Sequence, residues 1–160
     1  MLLALLLAAT VLGPADVESL TKVSDAVVHA QVMRRSSAWA PGGGQIFTTV
    51  VLRAIEIWKG DPEREIAVLV PGGEVGELSQ TVQGAASFAD GEEVVVFLHR
   101  RAAGVFQVER LSLGKFSVAE RTRRAVRDRR LISCEGCQPS ETDDLPLDEL
   151  RARVLSRARR

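Results

Sequence analysis

Apolar and polar residues alternate or form short apolar runs along most of the chain, and turn residues separate these segments at short intervals. β-Branched residues are frequent within the segments, and this combination is typical of β-strands. No helical segments alternate with the strands, so the pattern predicts an antiparallel sandwich or barrel. The predicted strands cover residues 26–33, 46–58, 65–70, 91–99, 105–109, 111–118 and 121–132.

Three of these strands carry further information. The unbroken apolar run at residues 94–98 predicts a central strand that is buried on both faces. In the second strand the inward-facing set shifts phase after Ala54, to Ile55 and Ile57, and a bulge near Ala54 would explain the shift. Arginines and Asp128 alternate with apolar residues through 121–132, a charge pattern that indicates a solvated edge strand.

Two segments show helical spacing of apolar residues. A short N-terminal helix is predicted at residues 17–24, and a C-terminal helix at 147–160. The second has acidic residues in its first turn and arginines at its end, as the helix dipole favours, and we expect it to cover one end or side of the sheet. Its apolar stripe consists of Leu147, Leu150, Val154 and Leu155.

The chain begins with an almost wholly apolar run that stops at a Gly-Pro pair. This shape predicts a signal peptide at residues 1–15, and therefore a secreted or periplasmic protein. The run is shorter than the roughly 20 residues that span a membrane, so we expect no transmembrane anchor after leader cleavage. A buried N-terminal strand or helix is the alternative. The remaining chain then divides into a β-barrel domain at 16–132, a CxxC loop with an acidic linker at 133–146, and the helix at 147–160.

Composition narrows the classes of partner. Lys plus Arg equals Asp plus Glu at 21 each, so the molecule has no net field that would attract nucleic acid. Aromatic residues make up only 4% of the chain and tyrosine is absent, which removes the usual platform for stacking bases. We therefore expect no nucleic-acid partner.

The segment from residue 72 to residue 90 is long, irregular and rich in Gly, Ser and Gln. Loops of this length in compact domains are usually either functional or mobile, and a rigid barrel would hold a functional one as a binding surface. The alternative is that Val75, Leu78 and Val82 only cap a barrel end. The candidate binding residues are Trp39, from the hairpin loop at 36–45, and Gly72, Gly73, Glu74, Glu77, Gln80 and Gln83.

The residues capable of chemistry are few. Cys134 and Cys137 form the one CxxC, and in an exported protein a structural disulfide is favoured over a redox or metal role, because no second Cys or His pair completes a zinc site. His29 and His99 have no carboxylate or nucleophile beside them in sequence, so we interpret both as structural. HExxH, GxSxG, SxxK and P-loop motifs do not occur. We accordingly predict no catalytic residue, no metal and no cofactor.

Several segments together resemble a family of uncharacterised secreted bacterial proteins. They are SDAVVHAQV, TTVVLRAIEIWKGD, the stretch from VPGGEV to GEEVVVFL, and LGKFSV, and they cover most of residues 23–118. More remotely, the strand order resembles netrin-like modules and tissue inhibitors of metalloproteinases. That resemblance implies a five-stranded OB-like barrel with helices alongside. Together with the strand and helix pattern, it predicts a mainly β fold, an antiparallel OB-like barrel of five to seven strands with a short N-terminal helix and a C-terminal helix. Those inhibitors act through an N-terminal Cys, and no residue here matches it.

These observations favour a secreted protein-binding or protease-inhibitor-like module without catalytic activity, whose partner is an extracellular or envelope protein. Two alternatives remain open. One is a small exported redox or metal-binding protein that acts through Cys134 and Cys137, and the other is a structural envelope protein.

Overall fold

The computed structural model describes residues 15–127 and 143–159. Within them the chain is mainly β with two helices, as predicted. The strands, in chain order, are β1 (Ala26–Trp39), β2 (Ile46–Lys59), β3 (Glu65–Pro71), β4 (Gly73–Val75), β5 (Leu78–Gln80), β6 (Glu93–Ala102), β7 (Val105–Val108), β8 (Lys115–Val118), β9 (Arg124–Arg127) and β10 (Asp144–Pro146). The helices are α1 (Val17–Val23) and α2 (Leu147–Ala158), and a 3₁₀ turn (Leu111–Gly114) precedes β8.

Helix α1 begins at a side-chain cap. The Asp16 carboxylate accepts a hydrogen bond from the Ser19 amide at 2.8 Å, which satisfies one of the free N–H groups at the helix start. Ser24 caps the other end of the helix, and its hydroxyl donates to the Leu20 carbonyl. Lys59 donates to the Thr21 and Ser24 carbonyls at 2.6 Å each, so the free carbonyls at the helix end are satisfied from β2.

Five strands close into a ring in the order β1, β2, β3, β7, β6, and β6 pairs back onto β1. Strands β8, β9 and β10 continue the sheet outward from β6. The ring is not entirely antiparallel, because β3 and β7 run parallel where Ala67 and Val68 face Val105 and Phe106. A closed ring with an odd number of strands must contain at least one parallel pair. The predicted antiparallel barrel is therefore wrong at this one junction, and the sheet is mixed.

Strand β6 separates two hydrophobic clusters. Val94, Val96 and Leu98 point into the ring, while Val95 and Phe97 point outward beneath the two helices. All five are fully buried, which confirms the prediction of a central strand buried on both faces. Glu93 to Leu98 pair with β1 along one edge, and β8 and β7 pair along the other.

The predicted irregularity in β2 is confirmed, but its consequence differs. His29 faces Glu56 and Ala30 faces Ala54, so Ile55 has no partner residue on β1. Ile55 and Ile57, predicted to face inward, are 54% and 37% exposed. Trp58 is buried instead, because α2 covers the outer face of β2 at this point and Trp58 joins the cluster beneath the helices.

The predicted edge strand at 121–132 lies inside the sheet over its described part. β9 covers only Arg124–Arg127 and has β8 on one side and β10 on the other. Arg127 is buried, with its guanidinium 4.6 Å from the centre of the Phe116 ring, so this arginine is not part of a solvated edge. The Asp143 carboxylate lies 3.2 Å from the same guanidinium, and this ion pair together with the aromatic face compensates for the burial of the charge.

Two predicted segment boundaries also move. Residues 36–39, predicted as part of a hairpin loop, continue β1, and Trp39 is its last residue. The start of the predicted strand 111–118 is the 3₁₀ turn, and a Cβ at Gly114, the last residue of this turn, would collide with the Glu109 carbonyl.

Some predictions fall on parts of the chain for which no structure is described. These are the leader at residues 1–15 except for Ala15, the Cys134–Cys137 disulfide, and most of the predicted linker at 133–146. The last residues of that linker form β10, which pairs with β9. Neither α1 nor α2 is long and apolar enough to cross a membrane, and this finding covers the described residues alone.

Candidate binding site at one end of the ring

A cavity of about 280 Å³ lies at the end of the ring where β3 gives way to the covering segment, defined here as residues 72–92. Ala86 and Phe88 of this segment pack into the ring core. Thr48 and Val50 of β2 and Val70 of β3 form the opposite wall. The segment therefore does two things, since it closes part of the ring core and leaves a recess beside it.

Two glycines allow the covering segment to approach the sheet. Gly73 has a φ of +142°, and a Cβ on it would lie 2.5 Å from Ser37 Oγ and still closer to Thr48 Oγ1. A Cβ on Gly72, at a φ of +95°, would lie 2.7 Å from the Gln80 carbonyl oxygen. Both positions need glycine because of backbone conformation and of space. This is the physical reason for the Pro-Gly-Gly sequence in which β3 ends.

Polar side chains hold the β4–β5 hairpin against the sheet. Gln80 Oε1 accepts a hydrogen bond from the Ile46 amide at 2.6 Å. Thr48 Oγ1 donates to the Gly72 carbonyl at 2.8 Å and lies 2.9 Å from Ser37 Oγ. The Gly72 amide donates to the Ile46 carbonyl at 2.8 Å. The walls of the cavity are thus held by internal hydrogen bonds before any ligand arrives.

A buried lysine anchors the other end of the covering segment. Lys115 is 3% exposed, and its ammonium donates to the Ser87 carbonyl and to Glu92 Oε1 at 2.6 Å each and to Ser117 Oγ at 3.2 Å. It also lies 4.9 Å from the centre of the Phe88 ring. Burial by itself would raise the pKa of Glu92, but hydrogen bonds from Lys115, Ser117 and the Ala89 amide outweigh it and lower that pKa.

The structure brings some of the predicted binding residues together and leaves others apart. The predicted residues that line the cavity are Gly72, Gly73, Glu74 and Gln80. The side-chain oxygen of Gln80 already accepts a hydrogen bond from the Ile46 amide. Trp39, Glu77 and Gln83 do not line it and are exposed. Since β1 has no register shift between Arg34 and Trp39, Trp39 lies on the same strand face as Ser37 and Arg35. Arg35 does line the cavity.

Sequence reasoning missed Arg35, Thr48 and Ser87 as cavity residues. Thr48 gave one usable signal, because it interrupts the apolar set on the inward face of β2. Arg35 and Ser87 gave none. Their position depends on how far β1 extends and on the path of the covering segment, and both are properties of the folded chain.

The two histidines have the carboxylate neighbours that their sequence surroundings lack. His29 Nε2 lies 2.5 Å from Glu93 Oε1, and the His29 ring lies 5.8 Å from the Trp58 ring. Arg123 donates to both oxygens of Glu93 at 2.8 Å and lowers the pKa of that carboxyl. His99 Nδ1 lies 3.2 Å from Glu109 Oε2. The prediction of structural histidines rested on the absence of a carboxylate beside them in sequence, and folding supplies one to each.

Within residues 15–127 and 143–159 no group of three or more His, Cys, Asp or Glu side chains is placed to hold a metal ion. A scan against protein-family models finds no match to this chain, and a search of curated proteins finds no significant relative.

Proposed function

We propose that this chain is an exported protein-binding module that recognises its partner with the cavity end of the ring. The observation that carries the proposal is a recess with internally bonded walls beside residues that remain exposed, namely Trp39, Glu74 and Leu78. Recognition residues on loops that a rigid scaffold positions are typical of binding modules. The apolar leader-like sequence supports export.

The exposed tryptophan beside the cavity favours a protein partner. The recess of about 280 Å³ has room for one or two side chains of such a partner. Trp39, 43% exposed, belongs to the residue type most enriched among interface anchors.

The strand ring supports an OB-like assignment. Five strands close on themselves, and the cavity lies against the second and third of them. OB-type domains are five-stranded barrels that bind ligands at their second and third strands and adjoining loops. We propose that the present domain uses the corresponding region for a protein ligand.

Site-specific photocrosslinking in the producing cell tests this function. A photoreactive phenylalanine analogue replaces Trp39 in one variant and Glu74 in a second. The matched control carries it at Ile55, which is exposed to a similar degree but lies on β2 away from the cavity. We expect one specific adduct from positions 39 and 74 and none from position 55. The proposal is wrong if no position gives an adduct, or if all three give the same ones.

A further inference from the structure

The outer edge of β1 beside the cavity lacks a strand partner over several residues. Pairing with β6 ends at Gln31 and Glu93, whereas pairing with β2 continues to Trp39 and Ile46. Next along β1, the Val32 amide donates to the Glu92 carbonyl and the Val32 carbonyl accepts from the Gly91 amide, so the backbone of the covering segment bonds to the backbone of this edge at Val32. Among the described residues, no strand pairs with the rest of β1 on this side.

The register shows which backbone groups face this open edge. The Ala40 amide donates to the Gln45 carbonyl, so that pair is a hydrogen-bonded one. Because hydrogen-bonded and non-bonded pairs alternate in antiparallel sheets, residues 34, 36 and 38 bond to β2. The N–H and C=O groups of Arg35, Ser37 and Trp39 therefore point away from β2. The Gly72 amide bonds to the Ile46 carbonyl on the far side of β2, as this alternation requires.

We propose that an extended peptide segment of the partner protein docks as a strand along residues 34–39 of β1. This inference rests on the proposed function and names the form of its ligand. Donors and acceptors that repeat at strand spacing are matched by another extended backbone. The open stretch is about 20 Å long at about 3.3 Å per residue, which accommodates a peptide of five or six residues.

The faces of β1 determine which side chains such a peptide needs. Residues directly opposite each other in paired strands share a face. Peptide residues opposite Arg35, Ser37 and Trp39 thus lie on the cavity side. We expect an apolar residue opposite the exposed Trp39 indole and a small residue opposite Ser37, whose hydroxyl lies 2.9 Å from Thr48 Oγ1. The β1 edge thus binds the peptide backbone, and the cavity accepts one of the peptide side chains.

A proline substitution separates this mode of binding from others. Ser37→Pro removes an N–H that points to the open edge and costs no bond to β2, and proline is tolerated on edge strands. Ser37→Ala is the matched control, because it removes the same hydroxyl and keeps the N–H. A phage-displayed library of random 12-residue peptides is selected on the immobilised full chain, and the recovered peptides are synthesised and their affinities measured.

We expect Ser37→Pro to weaken these peptides by about tenfold or more, and Ser37→Ala to weaken them by less than about threefold. In the unmodified chain, bound peptide should slow amide hydrogen exchange at residues 35, 37 and 39 relative to residues 36 and 38. This exchange measurement needs no variant, so it tests docking along β1 even if Ser37→Pro fails to fold.

Three results would overturn the inference: recovery of no peptide above background, equal affinity for both Ser37 variants with unchanged exchange, or a dimer of the chain alone that Ser37→Pro abolishes. The proposed function has a separate readout. Peptides that weaken with Trp39→Ala but not with Ser37→Pro would retain recognition at the cavity end and reject docking along the edge.

Discussion

Of the two glycines at the start of the covering segment, Gly73 is the one that lies directly against the β1 and β2 side chains. Gly73 combines a φ of +142° with side-chain oxygens of Ser37 and Thr48 where its Cβ would be. Gly76, in the turn of the β4–β5 hairpin, has a φ of +60° and open space around it. A side chain would strain the backbone at both positions, but only at Gly73 would it also collide with neighbouring atoms. Comparing the two positions therefore separates crowding from backbone strain.

Gly73→Ala should therefore cost more stability than Gly76→Ala. We expect a loss of about 2–3 kcal/mol for the first, from strain and displacement of the hairpin, and of about 1 kcal/mol for the second. Urea unfolding of the two variants and of the parent chain measures both values. Equal losses would show that Thr48 and Ser37 move aside at no cost.

The pair of Lys115 and Glu92 is a second determinant at the scale of single residues. Lys115→Met leaves the half-buried Glu92 carboxylate without its cation, and we expect a loss of about 3 kcal/mol. The double variant Lys115→Met, Glu92→Gln should regain part of this loss, because no unpaired charge remains. Arg34→Met breaks an exposed pair with Glu65 and should cost under about 0.5 kcal/mol in the same denaturation experiment. A loss at Lys115 as small as that at Arg34 would contradict the anchoring role.

At the scale of elements, an ion pair joins helix α2 to strand β2. Arg151 contacts both oxygens of Glu56, with Nε at 2.9 Å from each, and Trp58 Nε1 donates to the same carboxylate at 2.9 Å. Hydrogen bonds from Arg151 and then from Trp58 lower the pKa of Glu56 to about 2. Leu150 and Val154 of the same helix are fully buried against the outer face of the ring. The ion pair therefore orients a helix that apolar burial already holds.

This arrangement predicts a defined dependence on pH. A carboxyl whose folded pKa lies below its unfolded value stabilises the protein above the unfolded pKa, near 4.5, and loses that contribution as pH falls towards 2. Glu56→Gln should lower the melting temperature at pH 6 and make little difference at pH 2. Thermal unfolding of both proteins at pH 6, 4, 3 and 2 measures the difference, and a difference that stays constant would rule out this ion pair as its source.

Which elements the sequence could predict depended on the range of the interactions that form them. Local apolar periodicity was sufficient for both helices, for the bulge at Ile55 and for the doubly buried run in β6. The parallel pairing of β3 with β7 escaped prediction because it joins strands far apart in the chain. The burial of Arg127 escaped it because it depends on β10 pairing with β9 and on the position of the Phe116 ring. At the candidate site, glycines in a turn sequence were recognisable, whereas Arg35 and Ser87 reach the cavity only through the folded path of the chain.

At the scale of the whole molecule, β6 contributes to both hydrophobic clusters. Alternate residues of this strand fill the ring and pack beneath the helices, so loss of β6 from the sheet would disrupt both clusters. We expect the ring and the helix layer to unfold in one cooperative step. Trp58 reports on the helix layer, since it is 4% exposed within that cluster, and far-ultraviolet circular dichroism reports on the sheet.

The Trp39→Phe variant leaves Trp58 as the single tryptophan, which makes its fluorescence specific for the helix layer. Guanidinium titration followed by fluorescence and by circular dichroism should give coincident midpoints. Leu150→Ala, in the helix layer, and Leu52→Ala, inside the ring, should each shift both probes together and cost about 2–5 kcal/mol, because both side chains are fully buried. A fluorescence midpoint below the circular dichroism midpoint in Leu150→Ala alone would mean that the helices detach while the ring persists, and that β6 does not couple the two clusters.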